Sequence, residues 1–193
     1  MEHMLNHLYL KKESIETLQQ NWRKEPKFAH LMLTKIFSKE AYKEKEKEIK
    51  KLFYKRQSRP DAFSYAIAKA ASMHIFDQKE LHNFLSIILE RPVQGILGDA
   101  FYYSWKDYTV LNRKTQEKTG IDIIFDFTQE WQEEWGGSIV YKNEKGAYLK
   151  LLPTPNTLII VERKNTQKYI QYINNLSKGK KRYLLIGTVK TKA

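Results

Sequence analysis

Beyond Arg91-Pro92 the chain reads as one short strand after another, and this constrains the fold more than any other feature. Ile121 to Phe127 alternates, with Ile121, Ile123, Phe125 and Phe127 on one face and Asp122, Ile124 and Asp126 on the other. Ser138 to Tyr141 and Ala147 to Leu152 flank Lys142-Asn143-Glu144-Lys145-Gly146, a hairpin signal. Ala100 to Trp105 is rich in aromatic residues, and three more strands are predicted at Thr157 to Glu162, Lys168 to Ile173 and Arg182 to Val189. About seven short strands with turn signals between them form a sandwich or a jelly roll.

The first half has helical texture. Ile15, Leu18 and Trp22 recur at helical spacing between Ser14 and Glu25, and Pro26 ends that segment. Phe28 to Phe37 reads as a strand, with His30 near its start as a hydrogen-bonded structural group. Ser38 can cap a helix running to about Arg56, with Ala41, Ile49, Leu52 and Phe53 as its buried stripe. Arg59-Pro60-Asp61 breaks the chain, and Asp61 can cap a third helix through Met73 that packs closely on Ala66, Ala70 and Ala71. Asp77 and Glu80 resemble a capping box opening a fourth helix through Leu89, whose apolar face is Leu81, Phe84, Leu85 and Ile88. The expectation is a single α+β domain over residues 1–193: a mainly helical support in 1–91 and a sandwich or jelly roll of strands in 92–193.

Composition narrows the function classes. A hydrophobic fraction of 41% suits a folded chain, and the absence of cysteine removes disulfides, thiolate zinc sites and cysteine nucleophiles together. No apolar run spans a bilayer and Met1 to Leu10 lacks a signal-peptide pattern, so no membrane partner and a cytoplasmic location are expected. The formal net charge is +12, which admits nucleic acid as a partner. Yet Lys39 to Arg56 mixes lysine with glutamate at helical spacing, the pattern of a solvated face. The Lys178 to Lys181 run reads as a solvated loop entering a strand. No phosphate loop, nucleophile elbow or zinc spacing occurs. Glu162, Asp122 and Asp126 are the remaining candidate acids or bases, and strand carboxylates are ordinarily exposed.

Three motifs in order carry a resemblance. A hydrophobic strand leads through Thr128 and Trp131 into Trp135-Gly136-Gly137. Pro153-Thr154-Pro155-Asn156-Thr157-Leu158 follows, and the last strand has Arg182 with Gly187 five residues on. The second half thus resembles the 2-oxoglutarate and iron(II)-dependent oxygenases, closest to their prolyl-hydroxylase-like branch. That resemblance implies a double-stranded β-helix and an iron site made of a His-x-Asp pair and a distal histidine.

The chain departs from the family at that site. One register puts the His-x-Asp positions on Asn112-Arg113-Lys114, and a longer loop puts them on Trp105-Lys106-Asp107. The distal histidine falls on Gln167 or Lys168. No register supplies either histidine, because His3, His7, His30, His74 and His82 all precede the barrel. A protonated lysine offers no lone pair, so no metal is expected. Arg182 matches the position that pairs with the distal carboxylate of 2-oxoglutarate in the family, and a guanidinium suits that task; the bland reading is a solvated arginine ending the basic loop. With Lys114 pointing inward, the pocket can take 2-oxoglutarate, another small dicarboxylate or a different small anion without iron. The resulting expectation is a catalytically degenerate relative acting as a binding or partner subunit, for example of an active oxygenase homologue. An active 2-oxoglutarate-dependent dioxygenase with an atypical site, a metal-free enzyme in the same pocket and a nucleic-acid-binding protein are the alternatives.

Overall fold

The structure, a computed structural model, describes residues 4–24, 28–110 and 119–191. Helices α1 (Lys12–Lys24), α2 (Lys39–Lys51) and α3 (Lys79–Leu89) lie in the first half of the chain. Strands are β1 (His30–Thr34), β2 (Lys55–Arg59), β3 (Phe63–Lys69), β4 (Val93–Tyr103), β5 (Tyr108–Thr109), β6 (Gly120–Asp126), β7 (Ile139–Asn143), β8 (Tyr148–Leu151), β9 (Thr157–Arg163), β10 (Thr166–Ile170) and β11 (Arg182–Thr191). A major sheet runs β1-β9-β6-β11-β4-β3-β2, with β5 added to β3, and a minor sheet runs β10-β7-β8. Every strand pair is antiparallel.

The major sheet is buried on both faces, and strict alternation divides its side chains between two cores. Toward the helices point Leu31 and Leu33, Leu158 and Ile160, Ile123 and Phe125, Leu185 and Ala100, which meet Leu81, Phe84, Leu85 and Ile88 of α3. Toward the minor sheet point Ile124, Ile159, Val161, Leu184 and Tyr103, which meet Ile139, Tyr141, Leu151 and Ile170. This second space is the interior of the jelly-roll barrel. The α+β jelly roll is therefore as expected, and α3 buries the four residues of its predicted stripe.

The helical reading of the first half needs three corrections. The segment predicted as a third helix is strand β3, preceded by the edge strand β2. Ser64, Ala66 and Ala68 are buried while Phe63, Tyr65 and Ile67 are half-buried, a period of two rather than 3.6. Small residues were the wrong guide here, since the aromatic and branched residues between them carry the strand propensity. Pro60 and Asp61 make the β2–β3 turn, where the Ala62 amide donates to the Arg59 carbonyl. Helix α2 stops at Lys51, so Phe53 lies beyond it and is 82% exposed. Finally, the N-cap of α3 is Gln78 and has no side-chain capping bond. Glu80 instead accepts from the Met4 and Leu5 amides at 3.0 and 3.4 Å, tying down the N-terminal segment.

Candidate functional site

The polar face of β6 points into the barrel, and its two aspartates are the least expected residues there. Asp122 and Asp126 are each 1% exposed, against the expectation of exposed strand carboxylates. The minor sheet covers the face that alternation alone would leave to solvent. A burial signal was present, because Ile124 sits between the two aspartates on that same face.

Asp126 faces Arg182. The Arg182 Nη2 donates to Asp126 Oδ2 at 2.9 Å, and both side chains are fully buried. Arg182 Nη1 donates to the Gly137 carbonyl. The other carboxylate oxygen of Asp126 accepts from the Thr128 amide at 2.9 Å, and Oδ2 also accepts from the Thr154 amide at 3.3 Å. Arg182 is thus not a solvated arginine: it is buried, and an internal carboxylate meets it. Among the described residues, Arg182 Nε and the nearby Ser138 hydroxyl are buried without a hydrogen-bond partner.

The Trp135-Gly136-Gly137 turn makes this arrangement possible. Gly136 and Gly137 both have φ of 78°, in the left-handed region that favours glycine. A Cβ on Gly136 would collide with the Tyr172 carbonyl. Trp131 donates its indole N–H to the Gly136 carbonyl at 2.9 Å and packs edge-on against Trp135. Asn156, also left-handed at φ 51°, accepts from the Phe37 amide and donates to its carbonyl. Trp135-Gly136-Gly137 and Asn156 thus each shape a turn.

Asp122 anchors a second network on the same strand. Its Oδ1 accepts from Arg163 Nε at 3.0 Å and from the Thr188 hydroxyl at 3.4 Å. Its Oδ2 accepts from the Tyr141 hydroxyl at 2.8 Å and from Lys168 Nζ at 2.9 Å. Burial pushes the Asp122 carboxyl up, but Lys168 and Arg163, with the bonds from Lys168 and Tyr141, outweigh it and hold the group below the usual carboxylate range. Burial and the adjacent Asp122 charge drive the Tyr141 phenol well above its ordinary value.

Of the candidate iron-ligand positions, Asn112, Arg113 and Lys114 lie outside the described residues. In the other register Asp107 is fully buried, but both its oxygens are occupied. Arg56 donates to each of them, Nη1 to Oδ2 at 2.7 Å; Ser64 Oγ donates to Oδ1 at 2.7 Å; the Ser104 amide and hydroxyl donate to Oδ2 at 2.8 and 3.2 Å. Trp105 is nearly half exposed, beneath the Lys106 ammonium at 4.4 Å. On β10, Thr166 and Ile170 are buried and Lys168 reaches the barrel interior, so Lys168 rather than Gln167 faces inward. Gln167 pairs with the exposed Lys142.

This donor set does not fit iron(II). Lys168 presents an ammonium already paired with a carboxylate, and Asp107 is surrounded by hydrogen-bond donors. His30 Nδ1 lies 2.8 Å from the Phe28 carbonyl and His82 Nε2 lies 2.6 Å from the Phe76 carbonyl, both in structural roles. Among the described residues no three His, Cys, Asp or Glu side chains group closely enough to hold a metal. Nor is any described helix long and apolar enough to cross a membrane.

No family model and no curated protein matches the sequence. Solved structures do match. A prolyl-4-hydroxylase from Pseudomonas putida aligns with TM-score 0.68 and 10% identity, over 91% of this chain and 100% of that one. A 2OG-Fe(II) oxygenase family oxidoreductase from Burkholderia pseudomallei aligns with TM-score 0.69 and 7% identity, over 93% and 92%. A Trichoplax adhaerens prolyl hydroxylase, solved with a hypoxia inducible factor peptide fragment, aligns with TM-score 0.63 and 9% identity, over 93% of each chain. At such identities the likeness is one of architecture, and it agrees with the motifs read from the sequence: this chain has the jelly-roll fold of the 2-oxoglutarate/iron(II) oxygenases, prolyl hydroxylases among them.

Proposed function

We propose that the chain is a catalytically degenerate relative of these oxygenases that works by binding, as a partner subunit of another protein. The observation that carries this reading is the Arg182–Asp126 pair. By resemblance, Arg182 is the cation that meets the distal carboxylate of 2-oxoglutarate, and here the protein's own carboxylate fills that role. A dicarboxylate entering beside Asp126 would meet a buried like charge, which costs far more in a dry interior than in water. Lys168 adds to the argument by offering an ammonium where the resemblance calls for a ligand with a free lone pair.

Metal analysis of purified protein, with an oxygen-consumption assay in the presence of 2-oxoglutarate, tests the reading. It predicts sub-stoichiometric iron and no succinate formation coupled to oxygen uptake. Bound iron at one per chain together with coupled turnover would overturn it and restore the dioxygenase alternative.

A cytoplasmic location belongs to the same proposal and is checked by fractionating cells that express the tagged chain.

A further inference from the structure

The major sheet ends in β2, Lys55-Arg56-Gln57-Ser58-Arg59, whose outer edge has no strand beside it among the described residues. All five residues are exposed, and neither proline nor glycine interrupts them. The strand is positive along its length. Pairing with β3 sets Lys55, Gln57 and Arg59 on the same side as Ile67, Tyr65 and Phe63. The Arg59 guanidinium, whose Nε meets the exposed Asp61 at 3.0 Å, a solvated pair worth little, lies 5.7 Å over the Phe63 ring, and Phe63, Tyr65 and Phe101 continue as a ladder of rings in contact. Phe53, 82% exposed, stands two residues before the strand. The edge therefore combines open backbone groups, a positive row and aromatic surface.

A positive edge has an ordinary explanation, since charged edge strands resist edge-to-edge aggregation. That explanation covers the lysine and the arginines. It does not account for the exposed Phe53 or the half-open aromatic ladder beside them.

We propose that β2 receives an extended acidic segment of a partner protein, added to the major sheet as a further antiparallel strand. The charge pattern selects this occupant over a second copy of the chain. Two β2 strands pairing antiparallel about Gln57 would set Lys55 against Arg59 twice, and parallel pairing in register would set each cation against itself; like charges directly opposite destabilise a sheet. A strand with carboxylates at alternate positions instead faces Lys55 and Arg59 on one side of the sheet, with its main chain supplying the ladder bonds. Arg56 is excluded from this recognition, because its guanidinium points to the other side and is held by Asp107. The proposal rests on the reading that the chain works by binding. It does not rest on the barrel interior, so iron or turnover there would leave this edge untouched.

The test uses the full chain and a short fluorescent peptide with glutamate at every second position, alternating with threonine or valine. The control has the same composition with its glutamates contiguous. Anisotropy should show the alternating peptide binding at least about tenfold more tightly than the control, and binding should weaken as salt rises. Hydrogen exchange should slow at the β2 amides on binding. The double variant Lys55→Glu/Arg59→Glu should lose about tenfold or more in affinity, and a peptide carrying lysine in place of glutamate should bind it instead. That exchange of preference keeps the test valid if the variant is less stable. Equal binding of both peptides, no slowing at β2, or no change of preference in the double variant would overturn the proposal. A dimer in sedimentation whose dissociation follows the same double substitution would also overturn it, by making a second copy the occupant.

Discussion

The two sides of the major sheet are built on different principles. Facing the helices, Ile123, Phe125, Leu158, Ile160 and Leu185 pack on α3 in a layer of apolar side chains. Facing the minor sheet, the same strands present Asp122, Asp126, Arg163 and Arg182, joined into ion pairs beneath Tyr103 and Tyr141. Apolar burial is non-directional and contributes roughly 1.5–3 kcal/mol for a large side chain. Buried ion pairs contribute little net stability but are costly to break, because removing one partner strands the other. The helix side thus rests on apolar burial, while the barrel side adds buried ion pairs to a second apolar cluster. The carboxylates Asp122 and Asp126 are both engaged by cations of neighbouring strands, so each barrel ion pair ties two elements together.

Five substitutions test that contrast. Asp126→Ala should be the most damaging, destabilising by about 3–5 kcal/mol in chemical denaturation, since it leaves Arg182 buried without its counter-charge. Succinate or acetate should then raise the melting temperature of this variant and not that of the parent; equal response would break the assignment of Asp126 as an internal carboxylate. Leu85→Ala on the helix side should cost about 2–5 kcal/mol through lost burial and a cavity, with no response to carboxylates.

Asp122→Asn should cost less than either, because the amide keeps the shape of the side chain and an acceptor oxygen for its buried donors. Its signature is a pH profile. The Asp122 carboxyl titrates lower in the folded chain than unfolded, so its stabilisation is complete above the ordinary aspartate value near 3.9 and is lost as pH falls through the lower folded value. The parent should lose stability in that acid window and Asp122→Asn should lose less. At the alkaline end, burial raises Tyr42 to about 12, so its contribution is full below roughly pH 10 and fades as pH rises toward 12. Replacing Tyr42 with Phe should flatten that limb. Smallest of all, Phe53→Ser should change stability by no more than about 0.5 kcal/mol, since the ring is exposed.

The strand-rich half was legible in the sequence because alternation and turn residues specify it locally, as in β6 and the β7–β8 hairpin. In β3 the alternation was equally present, but alanines at even positions imitated a helix-packing stripe. For the candidate site, Arg182 could be picked out by motif but its partner could not. Asp126 lies 56 residues away, and only the β6–β11 pairing brings the two together. The same holds for Asp107 with Arg56 and for Asp122 with Lys168. Residue type says what a side chain can do, and long-range pairing decides what it meets.

β11 lies between β6 and β4 in the middle of the major sheet, although it is the last described strand in the chain. Before it is in place, β2-β3-β4 and β1-β9-β6 are separate half-sheets, each with a bare inner edge. During synthesis from the N-terminus these halves must wait for β11 to leave the ribosome, so folding is dominated by distant contacts and exposes sticky edges meanwhile. A nascent chain halted before Arg182 should therefore be a strong client of chaperones, and release of β11 should be the step that ends that dependence.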